Sequence, residues 1–234
     1  MNIPPLIAKT LRHITLWMMA WITVFFSAQA QEEPVPPDPT PVLQETIPLL
    51  PVTFKNWEDY PPRVQKIVIR AFSIDAQQLG YVFGSADPAR GGMDCSGSVQ
   101  HLLKTTGHQN VPRQSDAFYR WAWLAGTFTA VNGTTFKSFE WHRLRPGDLL
   151  FWTGTYAVDP AREPAISHVM IYLGEEEASG RKLMFGASEG RRYGGNVKNG
   201  VGIFDFELPR PKAGSALRAR FVGYATIPPA ATVP

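Results

Sequence analysis

Cysteine is almost missing from this sequence: Cys95 stands alone among 234 residues. An intramolecular disulfide is impossible, and a cysteine-rich metal cluster has no ligands. There is no His-Glu-x-x-His stretch and no Gly-x-x-x-x-Gly-Lys-Ser/Thr loop, so zincin sites and a P-loop lack their parts. No metal ion or other cofactor is expected. Gly186-Ala187-Ser188-Glu189-Gly190 has the spacing of a nucleophile elbow, but that chemistry needs a histidine downstream, and the last one is His168. Strong net charge is missing too. Lys+Arg number 23 against 20 Asp+Glu, and setting aside Lys9 and Arg12 in the leader leaves 21 against 20. The basic residues are scattered, so there is no electrostatic footprint for nucleic acid.

The N-terminus has the layout of a secretory signal. Lys9, Arg12 and His13 form a basic start, Ile14 to Phe26 is an uncharged apolar run, and Ala28-Gln29-Ala30 offers small residues at both cleavage positions. The run is shorter than the roughly 20 residues a spanning helix needs, so no permanent membrane span is expected. No cysteine near the cleavage site can take a lipid. Residues 1–30 are expected to direct export to the periplasm, envelope or exterior, leaving Gln31 as the mature start. Residues 31–51, with Pro34, Pro36, Pro37, Pro39, Pro41, Pro48 and Pro51, read as an extended linker. A folded domain is expected over 52–228 and a short tail over 229–234.

Within that domain helices precede strands. Pro61-Pro62 open a run in which Val64, Ile67, Val68, Ala71, Phe72, Ala76 and Leu79 recur at helical spacing, closed by Gly80. A short extended piece at Tyr81-Val82-Phe83-Gly84, a helix from Cys95 to Gly107 and another over Asp116–Leu124 follow. Strands are expected at Leu149–Trp152, His168–Gly174, Leu183–Phe185, Gly200–Phe206 and Arg220–Ala225, joined by segments too short for crossover helices. This order argues for α+β with a largely antiparallel sheet. Trp121, Trp123, Trp141 and Trp152 have two readings, core packing or a sugar-binding platform. The insertion from Leu124 to Trp141 is the natural place for substrate selectivity.

Gly91-Gly92-Met93-Asp94-Cys95-Ser96-Gly97 puts the thiol on the first turn of a helix, where unpaired N–H groups and the macrodipole favour a thiolate. Asp94 is suited to cap that helix. Its negative charge opposes the thiolate, so the helix end and a charged base must outweigh it. A lone cysteine is either a small buried residue or a reactive thiol. In an exported chain with no second cysteine, the balance moves to the reactive one. A nucleophilic thiol needs a base. His101 follows Cys95 on the same helix but about 240° round, His108 lies in the loop that ends it, and His142 sits beside Trp141 and Arg143 before a turn. His168, at the first position of an apolar strand, remains by elimination.

Five stretches then carry a resemblance: Tyr81-Val82-Phe83-Gly84, Gly92-Met93-Asp94-Cys95-Ser96-Gly97, Pro112-Arg113-Gln114-Ser115, Arg145-Pro146-Gly147-Asp148-Leu149-Leu150-Phe151 and Ser167-His168-Val169-Met170-Ile171-Tyr172-Leu173-Gly174. In this order they resemble the NlpC/P60 family of papain-like cysteine peptidases, which cut the peptide stems of bacterial peptidoglycan. The similarity covers about residues 60 to 227. It implies a papain-like fold in which the Cys-bearing helix packs on a short antiparallel sheet bearing the His. It implies Cys95 as nucleophile, His168 as base, Tyr81 beside the thiol to help hold the oxyanion, Asp94 and Gly97 as structural residues, and stem peptides as substrate. One position departs from the family. Where a third polar residue orients the imidazole, this chain has Gly186. Either a backbone carbonyl takes the far ring proton, or Ser188 or Glu189 reaches in, or activity is reduced or lost. The expected function is an exported cysteine endopeptidase. The alternatives are a weak or inactive wall-binding module on the same fold, or a Cys-dependent acyltransferase or amidase.

Overall fold

The computed structural model describes residues 50–209 and 218–229. The leader over 1–30 and the linker over 31–51, apart from Leu50 and Pro51, lie outside the described residues, as does the tail beyond Pro229. Leu50 and Val52 pack against the core, so the folded part takes in the linker's last residues.

Helix α1 (Pro62–Asp75) starts with a proline at its first position and buries Val64, Ile67, Val68, Ala71, Phe72 and Ile74. It stops short of Gly80 because Gln78 takes a left-handed conformation, φ 52°, and turns the chain first. Strand β1 (Gly80–Tyr81) pairs in parallel with β2 (Gly92–Met93), and β2 leads into α2 (Cys95–Thr105). Helix α3 (Ser115–Leu124) follows. The remaining strands are β3 (Phe128–Ala130), β4 (Leu149–Thr153), β5 (Ile166–Glu175), β6 (Lys182–Tyr193), β7 (Asn196–Asp205) and β8 (Arg220–Ala225). They form one sheet in the order β3-β8-β4-β5-β6-β7 with antiparallel neighbours throughout, which makes the fold α+β. Among the described residues no helix is long and apolar enough to cross a membrane.

Three differences from the sequence reading have local causes. β3, three residues long, is too short to show a period. β6 runs on through Gly186–Gly190 to Tyr193 because β7 pairs along its whole length, with a register shift between Ser188 and Arg191. β5 begins at Ile166, so His168 is its third residue and not its first.

Side-chain alternation along β5 divides the interior in two. Val169, Ile171 and Leu173 join Leu149, Phe151, Phe185 and Ile203 in the core beneath the helices. Met170 and Tyr172 join Leu150, Trp152, Met184, Phe204, Phe221 and Tyr224 on the other face, where Trp141 closes an aromatic layer. Burying one such side chain contributes about 1.5–3 kcal/mol before entropy is counted. Trp152 and Trp141 are therefore core residues, whereas Trp123 is largely exposed and stacks on Tyr119.

The start of α2 is seated by a close backbone approach. A Cβ at Gly97 would lie 2.0 Å from the Ser85 carbonyl oxygen, which also accepts the Asp94 N–H at 2.9 Å. Gly97→Ala is expected to push the helix off this loop and to cost about 1–3 kcal/mol, read as a lower urea midpoint at unchanged m-value. An unshifted midpoint would show that the loop yields freely.

Candidate active site

Asp94 organises the N-terminal end of α2. Its Oδ1 accepts the Gly97 N–H at 2.6 Å, the N-cap bond, and its Oδ2 accepts the Gly84 N–H at 2.9 Å. Arg113 grips both oxygens, Nη1 to Oδ1 at 3.0 Å and Nη2 to Oδ2 at 2.8 Å, and Nη1 also donates to Ser96 Oγ at 3.0 Å. This bidentate pair joins the loop after β1, α2 and the loop before α3. Arg113 lies in one of the quoted stretches, but its tie to Asp94 spans 19 residues and no local spacing announces it.

Cys95 is the first residue of α2 and is buried. Its thiol donates to the Ser167 carbonyl oxygen at 4.0 Å, and the N–H groups of Val169 and Ser96 favour its anion. Ser167 and Val169 flank His168. The β5–β6 ladder reaches only Ile171↔Phe185 at this end, which leaves that edge of β5 to the helix terminus. The helix-end argument predicts a lowered thiol pKa. The structure reverses it: burial first, and then the Asp94 carboxylate, push the Cys95 thiol up to about 11, against weaker help from the backbone N–H groups and Arg113.

His168 is buried, opposite Trp152 in the β4–β5 register, with the two rings in a T-shaped contact at 5.5 Å. Burial, and then the positive charge of Arg191, hold its pKa well below the usual histidine value, so the imidazole is neutral. Its Nε2 has no hydrogen-bond partner among the described residues, and neither does Trp152 Nε1. A Cβ at Gly186 would lie 2.8 Å from Met170 Cε and 2.9 Å from its Cγ, so Met170 fills the space of the family's third side chain. Ser188 is buried and Glu189 exposed. No hydrogen bond joins either of them to the imidazole among the described residues, and none joins Cys95 Sγ to the ring.

Tyr81 lies near Cys95, and its phenol is pushed up, first by burial and then by the thiol, so it stays protonated and able to donate. Tyr81, Phe83, Asp94, Cys95, Arg113 and Tyr156 are among the walls of a cleft of about 240 Å³. A larger cavity of about 690 Å³, lined among others by Tyr60, Arg63, His108, Asp148 and Glu175, includes none of Tyr81, Cys95, His168, Gly186, Ser188 and Glu189. Among the described residues no group of three or more His, Cys, Asp or Glu is placed to hold a metal ion. The thiol at this helix start thus lies against the strand backbone on either side of His168. Arg191, which acts on both His168 and Cys95, was not singled out by the sequence, since the bulge that aims it inward has no local signature.

The match to known proteins agrees with this architecture. Residues 78–196, just over half of the chain, match the NlpC/P60 family. The chain belongs to that family, and its α+β, papain-like fold is the family's. Solved structures with similar folds include an NLP/P60-family protein similar to a lipoprotein from Staphylococcus aureus, at 21% identity over 76% of this chain and 44% of that one, with TM-score 0.42. NlpC2 from Trichomonas vaginalis gives 17% identity over 74% and 50%, with TM-score 0.36. An NlpC/P60 endopeptidase from Photobacterium damselae gives 18% over 71% and 39%, with TM-score 0.41. The chain spans half or less of the length of each. No curated protein matches the sequence.

The protonation states have two measurable consequences. Iodoacetamide alkylation of the native thiol is expected to inflect near 11, above the roughly 8.5 of a free thiol; an inflection below 8 would contradict the burial argument. His168 has a depressed pKa, so the unfolded chain binds more protons below its ordinary value of about 6.5. Stability is therefore present above that pH and lost as pH falls below it, and His168→Gln should flatten this limb of the stability curve. An unchanged limb in the variant would assign the acid loss to other groups.

Proposed function

We propose that this protein is a cysteine peptidase that hydrolyses amide bonds in peptidoglycan stem peptides, with Cys95 as nucleophile and His168 as base. The observation that carries the reading is the seat of the thiol: first turn of a capped helix, open to a cleft, against the strand backbone on either side of His168. Membership of the NlpC/P60 family supplies the substrate class. The apolar leader and proline-rich stretch of the sequence fit an exported enzyme that meets its substrate in the cell envelope.

In this mechanism the resting pair is neutral. As the sulfur attacks the carbonyl carbon, its proton passes to the imidazole and a C–S bond forms. N–H groups at the start of α2 and the Tyr81 hydroxyl are the donors for the developing oxyanion. The imidazolium then returns the proton to the departing amine as the C–N bond breaks, and water hydrolyses the thioester. Asp94 takes no part in proton transfer, because its carboxylate is already committed to the cap and Arg113.

A second reading, a wall-binding module with little catalysis, is favoured by one observation: the imidazole lacks a partner at Nε2, and Gly186 with Met170 leaves no side chain to provide one. Digestion of purified sacculi separates the two. Cys95→Ala and His168→Ala are each expected to lower muropeptide release by at least about a thousandfold. Wild-type protein that stays bound to sacculi as tightly as Cys95→Ala, and releases no more than it does, would establish the second reading.

A further inference from the structure

Arg191 is the one charged side chain at the base that the proposed mechanism leaves unused. The shift between Ser188 and Arg191 resets the strand's register, and Arg191 then lies beside Lys198 of β7 in the ladder. Its guanidinium lies over the Trp152 ring at 4.8 Å, and the same indole meets His168 at 5.5 Å. Arginine over the indole face and histidine in T-shaped contact with the same indole thus link β6, β4 and β5. Among the described residues no carboxylate forms an ion pair with Arg191. Burial brings its pKa down to about 10, still far above neutrality, and Cys95 and Glu207 act in the other direction.

We propose that Arg191 is a positioning residue for the base: stacked on Trp152, it locks the indole that orients His168 and keeps the imidazole neutral into acid pH. The family's third residue accepts a hydrogen bond from the far ring nitrogen and so favours the charged ring. Here the space for it is filled by Met170, and the nearby polar groups are donors or cations, the Trp152 N–H and the Arg191 guanidinium. A cation beside the ring disfavours imidazolium. The groups acting electrically on the pair are few: Arg191 on His168, Asp94 and Arg113 on Cys95, with Tyr81 close to the thiol and Glu207 facing Arg191. Among the described residues no carboxylate or amide bonds the ring, and Arg191 adds to the effect of burial in keeping it neutral. The consequence is a base that remains able to accept the thiol proton at pH values where an ordinary histidine is already protonated.

The proposal rests on His168 acting as the base, but its main test needs no substrate. In the full chain the His168 ring C–H resonance is followed by NMR across pH in wild type, Arg191→Lys and Arg191→Met. Lys keeps the charge, and Met keeps a flexible apolar chain over the indole without it. Arg191→Met is expected to move the titration up by about one pH unit, a tenfold change in proton affinity, and Arg191→Lys to leave it low. Equal movement in both variants, or none in Arg191→Met, would overturn the proposal. In the muropeptide assay the acid limb of kcat/KM should shift upward with the NMR titration in Arg191→Met and stay put in Arg191→Lys. A rise in KM alone, with the His168 titration unchanged, would instead make Arg191 a binder of a substrate carboxylate and would also overturn it. Loss of the peptidase reading through an inert Cys95 leaves the NMR result standing.

Discussion

The grip of Arg113 on Asp94 is the interaction on which the site depends. One carboxylate caps α2, holds the Gly84 backbone and takes both arms of the guanidinium. Without Arg113 it would be a buried, unpaired charge next to a thiol, which is strongly destabilising. The cap alone would give about 1 kcal/mol. The pair therefore does more than stabilise a helix. It lets an anion sit one residue before Cys95 without forcing the thiol still higher.

That arrangement fixes the electrical character of the cleft. Burial disfavours charge there, and the Asp94–Arg113 pair offsets it with hydrogen bonds to both carboxylate oxygens. Cys95 and His168 are left neutral, and the helix terminus is too weak to reverse this. A macrodipole at a partly exposed end is worth about 0.3–1 kcal/mol, less than the burial of a thiolate costs. In the proposed mechanism, charge separation between thiol and imidazole thus belongs to the reaction, when the oxyanion donors have something to hold.

How much of this the sequence carries depends on distance along the chain. The helix start at Cys95 and its cap at Asp94 were legible because capping is a matter of three adjacent residues, and Gly97 lies within the same stretch. β4, β5, β7 and β8 were legible as apolar runs. β3 was too short to show a period, and the extent of β6 through Gly186–Gly190 is set by pairing with β7. The Asp94–Arg113 tie and the Arg191 stack join residues that no spacing connects. The direction of the thiol's shift was misread for a related reason: the dipole is a local property of the helix, whereas burial is made by the strand and loops that close over it.

The glycine at 186 is the clearest case of a local signal whose meaning is tertiary. As sequence it is a deletion of the imidazole's anchor. In the fold, the space of that anchor holds Met170, and a hydrogen-bonding side chain could not enter without displacing it. The imidazole is then held by ring packing against Trp152, a contact that fixes orientation but has no preference for the charged form. A hydrogen-bond acceptor at the far nitrogen would fix orientation and favour imidazolium together. Replacing it by an aromatic contact separates those two functions, and the charge of His168 is then set first by burial and then by the nearest charged group. In this chain that group is the guanidinium of Arg191.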